Sequence, residues 1–136
     1  MKKSITTAML LFSLASFSQM KVSDSDTIVT VGKYKAFGNF YAEISKSTSG
    51  YFLVYTDILS GITKSFYFSE SDFEELYKLF SNIEAGKEKR IDLEGGDILM
   101  LTYNKGNVEL FHIDKYGITG NMKAISPKQV DKLFGK

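Results

Sequence analysis

The sequence predicts one α+β domain built from a duplicated β-β-β-β-α unit, with antiparallel sheets and two helices. Three observations point there. Gly-Ile-Thr occurs twice, within Ser60–Thr63 and within Tyr116–Thr119, each time beside a β-favouring run. Apolar residues fall three and four apart over Phe73–Ile83 and again over Val130–Phe134, the repeat of one helix face. The rest of the chain reads as short β-favouring runs punctuated by glycine- and asparagine-bearing turns.

The first residues have the three-part layout of a secretory signal peptide. Met1-Lys2-Lys3 is basic, Ile5–Ala15 is mostly apolar, and Ser16-Phe17-Ser18 supplies small residues for cleavage. Residues 1–18 are therefore expected to be removed, and the protein to be exported to the periplasm or secreted. The apolar run is shorter than the about 20 residues that a bilayer span requires, and no later segment is apolar for long enough to span. Residues 19–26 are polar and aperiodic, a flexible leader.

A single domain is expected over 27–136, with halves 27–86 and 87–136. Thr27–Lys35 is a strand, and Gly38-Asn39 is a turn because both residues tolerate positive φ. Phe40, Ala42 and Ile44 alternate with Tyr41, Glu43 and Ser45, the period of a half-buried strand. Ser45–Gly50 reads as a loop, Tyr51–Thr56 and Ile62–Phe68 as strands. Ser71 and Glu74 are spaced as a capping box ahead of the first helix, and Gly86 is placed to stop it.

The pattern then restarts. Lys89–Leu93, Ile98–Tyr103, Val108–Ile113 and Ile118–Ala124 are strands, joined by turns at Gly95-Gly96, Asn104–Asn107 and Asp114–Gly117. Ser126-Pro127-Lys128-Gln129 is a second capping box, with proline at the first helical position, where its missing N–H costs nothing. Gly50–Thr63 lies over Gly106–Thr119 at an offset of 56 (106 − 50), and Gly38-Asn39 over Gly95-Gly96 at 57 (95 − 38). That alignment puts the one-residue difference in the Ser45–Gly50 loop and sets Thr56 opposite His112.

In element order, two β4α units resemble the Whirly and positive-cofactor type of single-stranded nucleic-acid-binding fold. The resemblance is one of topology, carried by no sequence motif, and implies shape and single-stranded nucleic acid as a candidate ligand. Charge argues the other way. Loss of Lys2 and Lys3 takes Lys+Arg from 17 to 15 against 16 acidic residues, moving the formal charge from +1 to −1. Such a chain has no net pull toward nucleic acid or anionic lipid.

Catalytic signals are sparse. With no cysteine, disulfides, thiolate metal sites and thiol nucleophiles are excluded together, and one histidine rules out a multi-histidine zinc site. His112 stands two residues from Asp114, half of a general-base arrangement, but no serine occupies a nucleophile elbow. Asp92–Asp97 carries three carboxylates around Gly95-Gly96 without EF-hand spacing, so a turn explains it. A hydrolase using His112 or the strand carboxylates Glu43, Asp57, Glu109 and Asp114 is the enzymatic alternative. No catalytic, cofactor or metal residue is assigned.

Aromatic content points instead to binding. The chain holds 8 tyrosines and 11 phenylalanines without tryptophan. Tyr51 and Tyr55 share a strand face, with Tyr41 and Tyr67 on flanking strands. An open sheet face bearing Tyr41, Tyr51, Tyr55 and Tyr67 is the expected contact surface for a protein, peptide or glycan. The sequence thus predicts a small non-enzymatic binding protein of the cell envelope or extracellular space.

Overall fold

The computed structural model describes residues 27–82, 84 and 87–136. The expected signal peptide (1–18), the leader (19–26), Ile83 and the Gly86 helix stop lie outside the described residues. The first half runs β1 (Val29–Ala36), β2 (Asn39–Ser47), β3 (Gly50–Thr56) and β4 (Thr63–Phe68). A 3-10 turn at Glu70–Asp72 then leads into α1 (Phe73–Ser81). The second half repeats the order with β5 (Glu88–Asp92), β6 (Ile98–Asn104), β7 (Asn107–Ile113), β8 (Thr119–Ile125) and α2 (Pro127–Leu133). Each half makes a four-stranded antiparallel sheet in sequence order. The fold is α+β with a duplicated β4α unit.

Period-2 alternation decides which face of each sheet is buried. In β3, Tyr51, Leu53 and Tyr55 point inward while Phe52 and Val54 point out; in β7, Val108, Leu110 and His112 do the same against Glu109 and Phe111. The inward residues of both sheets join Leu76, Phe80, Val130, Leu133 and Phe134 of the helical segments in one apolar cluster. Removal of this surface from water is the main force holding a cysteine-free chain of this size together.

The helices meet each other and β1. Phe134 is packed among Phe73, Tyr77 and Phe80, with ring centroids 5.5, 5.5 and 5.3 Å away. Tyr77 Oη donates to Asp131 Oδ1 at 2.6 Å. The end of α2 presses onto Gly32 of β1 so closely that a Cβ there would lie 2.7 Å from the Leu133 carbonyl carbon. Only glycine allows this approach.

Several local expectations shift. The β1–β2 turn is Phe37-Gly38 rather than Gly38-Asn39, with φ of 53° and 80° and Ala36 paired with Asn39. Two positive φ values in a two-residue link make a type I′ turn, whose twist matches the strands it joins. Ser45–Ser47 belongs to β2, so the expected loop contracts to Thr48-Ser49 between paired Ser47 and Gly50.

The first capping box does not form. Asp72 sits at the N-cap in helical geometry without a side-chain bond, because the 3-10 turn has already begun at Glu70. The Ser71 hydroxyl pairs with that of Ser69 at 3.0 Å instead. The second box forms as expected: Ser126 N donates to Gln129 Oε1 at 2.8 Å, and Gln129 N to Ser126 Oγ at 3.3 Å.

The register of the repeat is also corrected. Gly50 begins β3 and Asn107 begins β7, and the two strands have matching inward and outward positions, so the offset there is 57 (107 − 50). His112 is therefore the counterpart of Tyr55, and Asp114 of Asp57. The one-residue difference lies in the following loops. Asp57 N donates to Ile62 O and Gly61 N to Asp57 O, whereas Asp114 N donates to Ile118 O and Gly117 N to Asp114 O. Gly-Ile-Thr matches at 56 because it follows the longer loop.

Candidate binding cleft

The two counterparts meet. Tyr55 Oη and His112 Nδ1 lie 2.7 Å apart across the boundary between the halves, and His112 Nε2 lies 2.8 Å from Asp97 Oδ2. Burial is the first cause raising the Tyr55 pKa, followed by the negative charges of Asp57, Asp114 and Asp97. The phenol therefore keeps its proton and donates to Nδ1. Nε2–H is then the donor to Asp97, so both ring nitrogens are committed. His112 is 2% exposed and Tyr55 0%. A Cβ on Gly120 would fall 3.1 Å from Tyr55 Cζ and closer still to Oη, so backbone seals the hydroxyl from the β8 side.

This geometry changes the sequence reading of His112. Its carboxylate partner is Asp97, at the mouth of β6, and not Asp114. Asp114 caps its own loop, with Oδ1 accepting from Tyr116 N at 2.8 Å and Ile118 N at 2.9 Å. The Ile118 N–H, then the Tyr116 N–H, hold its pKa below the usual carboxylate value. Neither imidazole nitrogen is free to take a proton from a substrate. Among the described residues, no group of three or more His, Cys, Asp or Glu side chains is placed to hold a metal ion.

Tyr55 and His112 each lie one residue from a strand end, so their contact gathers the loops of both halves at one end of the molecule. There the duplication produces two related clefts. In one, the β3–β4 loop closes onto β8: Ile58 N donates to Asn121 O at 2.9 Å, and Asn121 N donates to Asp57 Oδ1 at 2.9 Å. A space of about 240 Å³ remains, lined by Ile58, Glu109 and Phe111 among others. In the other, the β7–β8 loop stands off β4 and leaves about 430 Å³.

The cause is one residue. Lys115 is the counterpart of Ile58, but its N–H is taken by Asp97 Oδ1 at 3.1 Å. The position matching Asp97 in the first half, at the 57 offset, is Phe40, which has no side-chain acceptor. Asp97 thus holds the imidazole with one oxygen and draws the β7–β8 loop back with the other.

The open cleft has an aromatic wall and a polar rim. Phe52 and Tyr67, cross-strand partners on the outer face, pack edge to face at 5.4 Å and remain 36% and 39% exposed. Tyr116, 78% exposed, stands on the β7–β8 loop side with the Lys115 ammonium 5.3 Å from its ring centre. Asp97, Asp114 and Ser65 complete the polar lining. Outside the cleft, the β1–β2 turn and the β3–β4 loop expose Phe37, Leu59 and Ile62 at the same end.

The four expected contact tyrosines do not share one surface. Tyr55 is in the relay. Tyr51 is buried, stacked on Phe73 at 4.4 Å. Tyr41, at the register shift in β2, is half-buried against the Tyr34 ring at 5.3 Å, with the Lys123 ammonium 5.2 Å from its ring centre. Tyr67 alone of the four lines the open cleft, its hydroxyl donating to Ser49 O. Phe52 and Tyr116, which sequence reasoning passed over, complete its aromatic surface. The alternation of β3 carried the signal: if Tyr51 and Tyr55 face the core, Phe52 faces out.

Comparison with protein-family models, with curated proteins and with solved structures finds no match. The class defined by fold and site is thus a duplicated β4α domain with an open cleft between its halves. No described helix is long and apolar enough to cross a membrane.

Proposed function

We propose that this chain is a non-enzymatic binding protein, exported to the cell envelope or beyond it, that holds its ligand in the open cleft beside β4. The observation that carries the reading is the asymmetry of the two clefts. Asp97 keeps one wide by taking the Lys115 N–H, while the related one is narrowed to about 240 Å³ by a loop-to-strand backbone bond. A volume of about 430 Å³ lies within the range of about 300–1,000 Å³ usual for small-ligand sites. Its mix of apolar walls and a few fixed polar groups is also the usual one for such sites.

Binding is favoured over hydrolysis because the Asp97–His112–Tyr55 relay ends on a sealed hydroxyl. The exposed apolar side chains at the same end add surface of the kind that contacts partners. Export is supported by the basic start, apolar stretch and small residues of 1–18.

Amide-shift mapping of the isotope-labelled protein against short peptides and oligosaccharides tests the cleft. Shifts centred on Ser65, Tyr67, Lys115 and Tyr116 are expected, weakened by Tyr116→Ala. Shifts confined to the cleft at Ile58 and Phe111, or to the helices, would refute it. Cell fractionation with and without residues 1–18 tests the address.

A further inference from the structure

We infer that the open cleft takes a neutral sugar ring, an assignment that rests on the cleft being the ligand site. The first argument is the shape of the aromatic surface. Phe52 and Tyr67 come from adjacent strands and Tyr116 from the loop that stands off them, so ring surface is offered from both sides of the opening. A pyranose has an apolar C–H face that packs on an aromatic ring and an edge of hydroxyls that needs partners. The cleft supplies both kinds of surface at once, as amphipathic aromatic sites do.

The second argument is the fixing of the carboxylates. Asp97 is held by the His112 imidazole and the Lys115 N–H, and Asp114 by two backbone N–H groups on Oδ1. An ionised carboxylate offers about four lone-pair sites. Each therefore keeps acceptor capacity while already oriented, so hydroxyl donors bind without the entropy of ordering a loose side chain. The Ser65 hydroxyl and the Lys115 ammonium provide donors on the same lining.

The third argument is charge. An anion would meet Asp97 and Asp114 together; for a cation, the Lys115 ammonium and Lys64, which acts on Asp114, offset the attraction of the two carboxylates and leave little charge to hold it. A wholly apolar ligand would strip water from these groups and return no hydrogen bond. A neutral polyhydroxylated ring is the solute that avoids all three costs.

The test uses three trisaccharides as probes, maltotriose and cellotriose for plain glucans and the N-acetylglucosamine trimer for acetamido sugars, against the labelled protein. Saturable shifts of the Ser65, Tyr67, Lys115 and Tyr116 amides with at least one of them are expected, and which sugar binds separates the two sources. Tyr116→Ala, at a mostly exposed site, should weaken the dissociation constant at least fivefold with an otherwise unchanged spectrum. An acetylated Ala-Val-Phe-Val-Ala peptide is the control. If the peptide moves these amides and no sugar does, the sugar assignment is overturned and the cleft survives. If no probe moves them, both fall.

Discussion

Tyr55→Phe removes one oxygen from the boundary between the halves, and its cost follows from what is left behind. The phenol donates to His112 Nδ1 at 2.7 Å, and the imidazole is 2% exposed, so water cannot replace the lost donor without the packing opening. A buried acceptor stripped of its partner costs about 1–3 kcal/mol. For a domain of this size that is a fall in Tm of roughly 5–15 °C, at about 5 °C per kcal/mol. Urea titration followed by far-ultraviolet circular dichroism measures it, with the slope m expected unchanged because no additional surface is exposed. The same substitution in a His112→Leu background should be neutral or stabilising, since it then deletes an orphaned hydroxyl. A loss below about 0.5 kcal/mol in the parent, or equal losses in both backgrounds, would show that the relay is not bonded as described.

Gly120→Ala should destabilise more than Tyr55→Phe, because the new methyl group would sit 2.6 Å from Lys64 Cδ and nearer still to Tyr55 Oη; combining it with Tyr55→Phe should recover part of the loss in the same titration. Asp57→Asn should cost about 2–4 kcal/mol, since Asp57 accepts from Ser60 Oγ at 2.6 Å and Asn121 N at 2.9 Å, and bonds to a charged group are worth about 1.5–3 kcal/mol each. The Ser60 hydroxyl, then the Asn121 N–H, lower the Asp57 pKa. Its stabilisation is therefore complete above the ordinary value of about 3.9 and fades as pH falls through the lowered folded value. Asp57→Asn should accordingly flatten the acid limb of a stability–pH profile, and an unchanged limb would refute the assignment. Phe37→Asn should stabilise by about 0.5–1 kcal/mol, because asparagine tolerates the φ of 53° and the phenylalanine ring, 98% exposed, packs on nothing; a lower melting temperature would sink the strain argument.

The sequence made the duplication legible because turn residues and strand alternation are local signals. Gly106 after Lys105, and Ser126 three residues before Gln129, state their turn and cap without help from distant chain. The first capping box failed for a reason just as local: Glu70–Asp72 winds as a 3-10 turn, so Ser71 is already inside helical backbone and its hydroxyl turns to Ser69. The cleft was less legible because its parts lie far apart in the chain. Gly-Ile-Thr drew the repeat to an offset of 56, which sets His112 opposite Thr56 and hides its relation to Tyr55. Aligning the inward residues instead, Tyr51, Leu53 and Tyr55 on Val108, Leu110 and His112, gives 57 and makes the relay readable. Alternation also separates the two faces of β3 without saying which is buried, so the sequence alone allows Tyr51 and Tyr55 to be set outside when it is Phe52 that faces out. Nothing local in Asp97 tells that it would pull back a loop from the next hairpin.

The contact between α2 and Gly32 ties the order of synthesis to the order of folding. While a ribosome is still producing residues 127–136, β1 has no cover, and the first meander can pair its strands but cannot shield the side of β1 that awaits Leu133. Closure over that side of β1 waits for α2 to emerge and dock its last turn on Gly32.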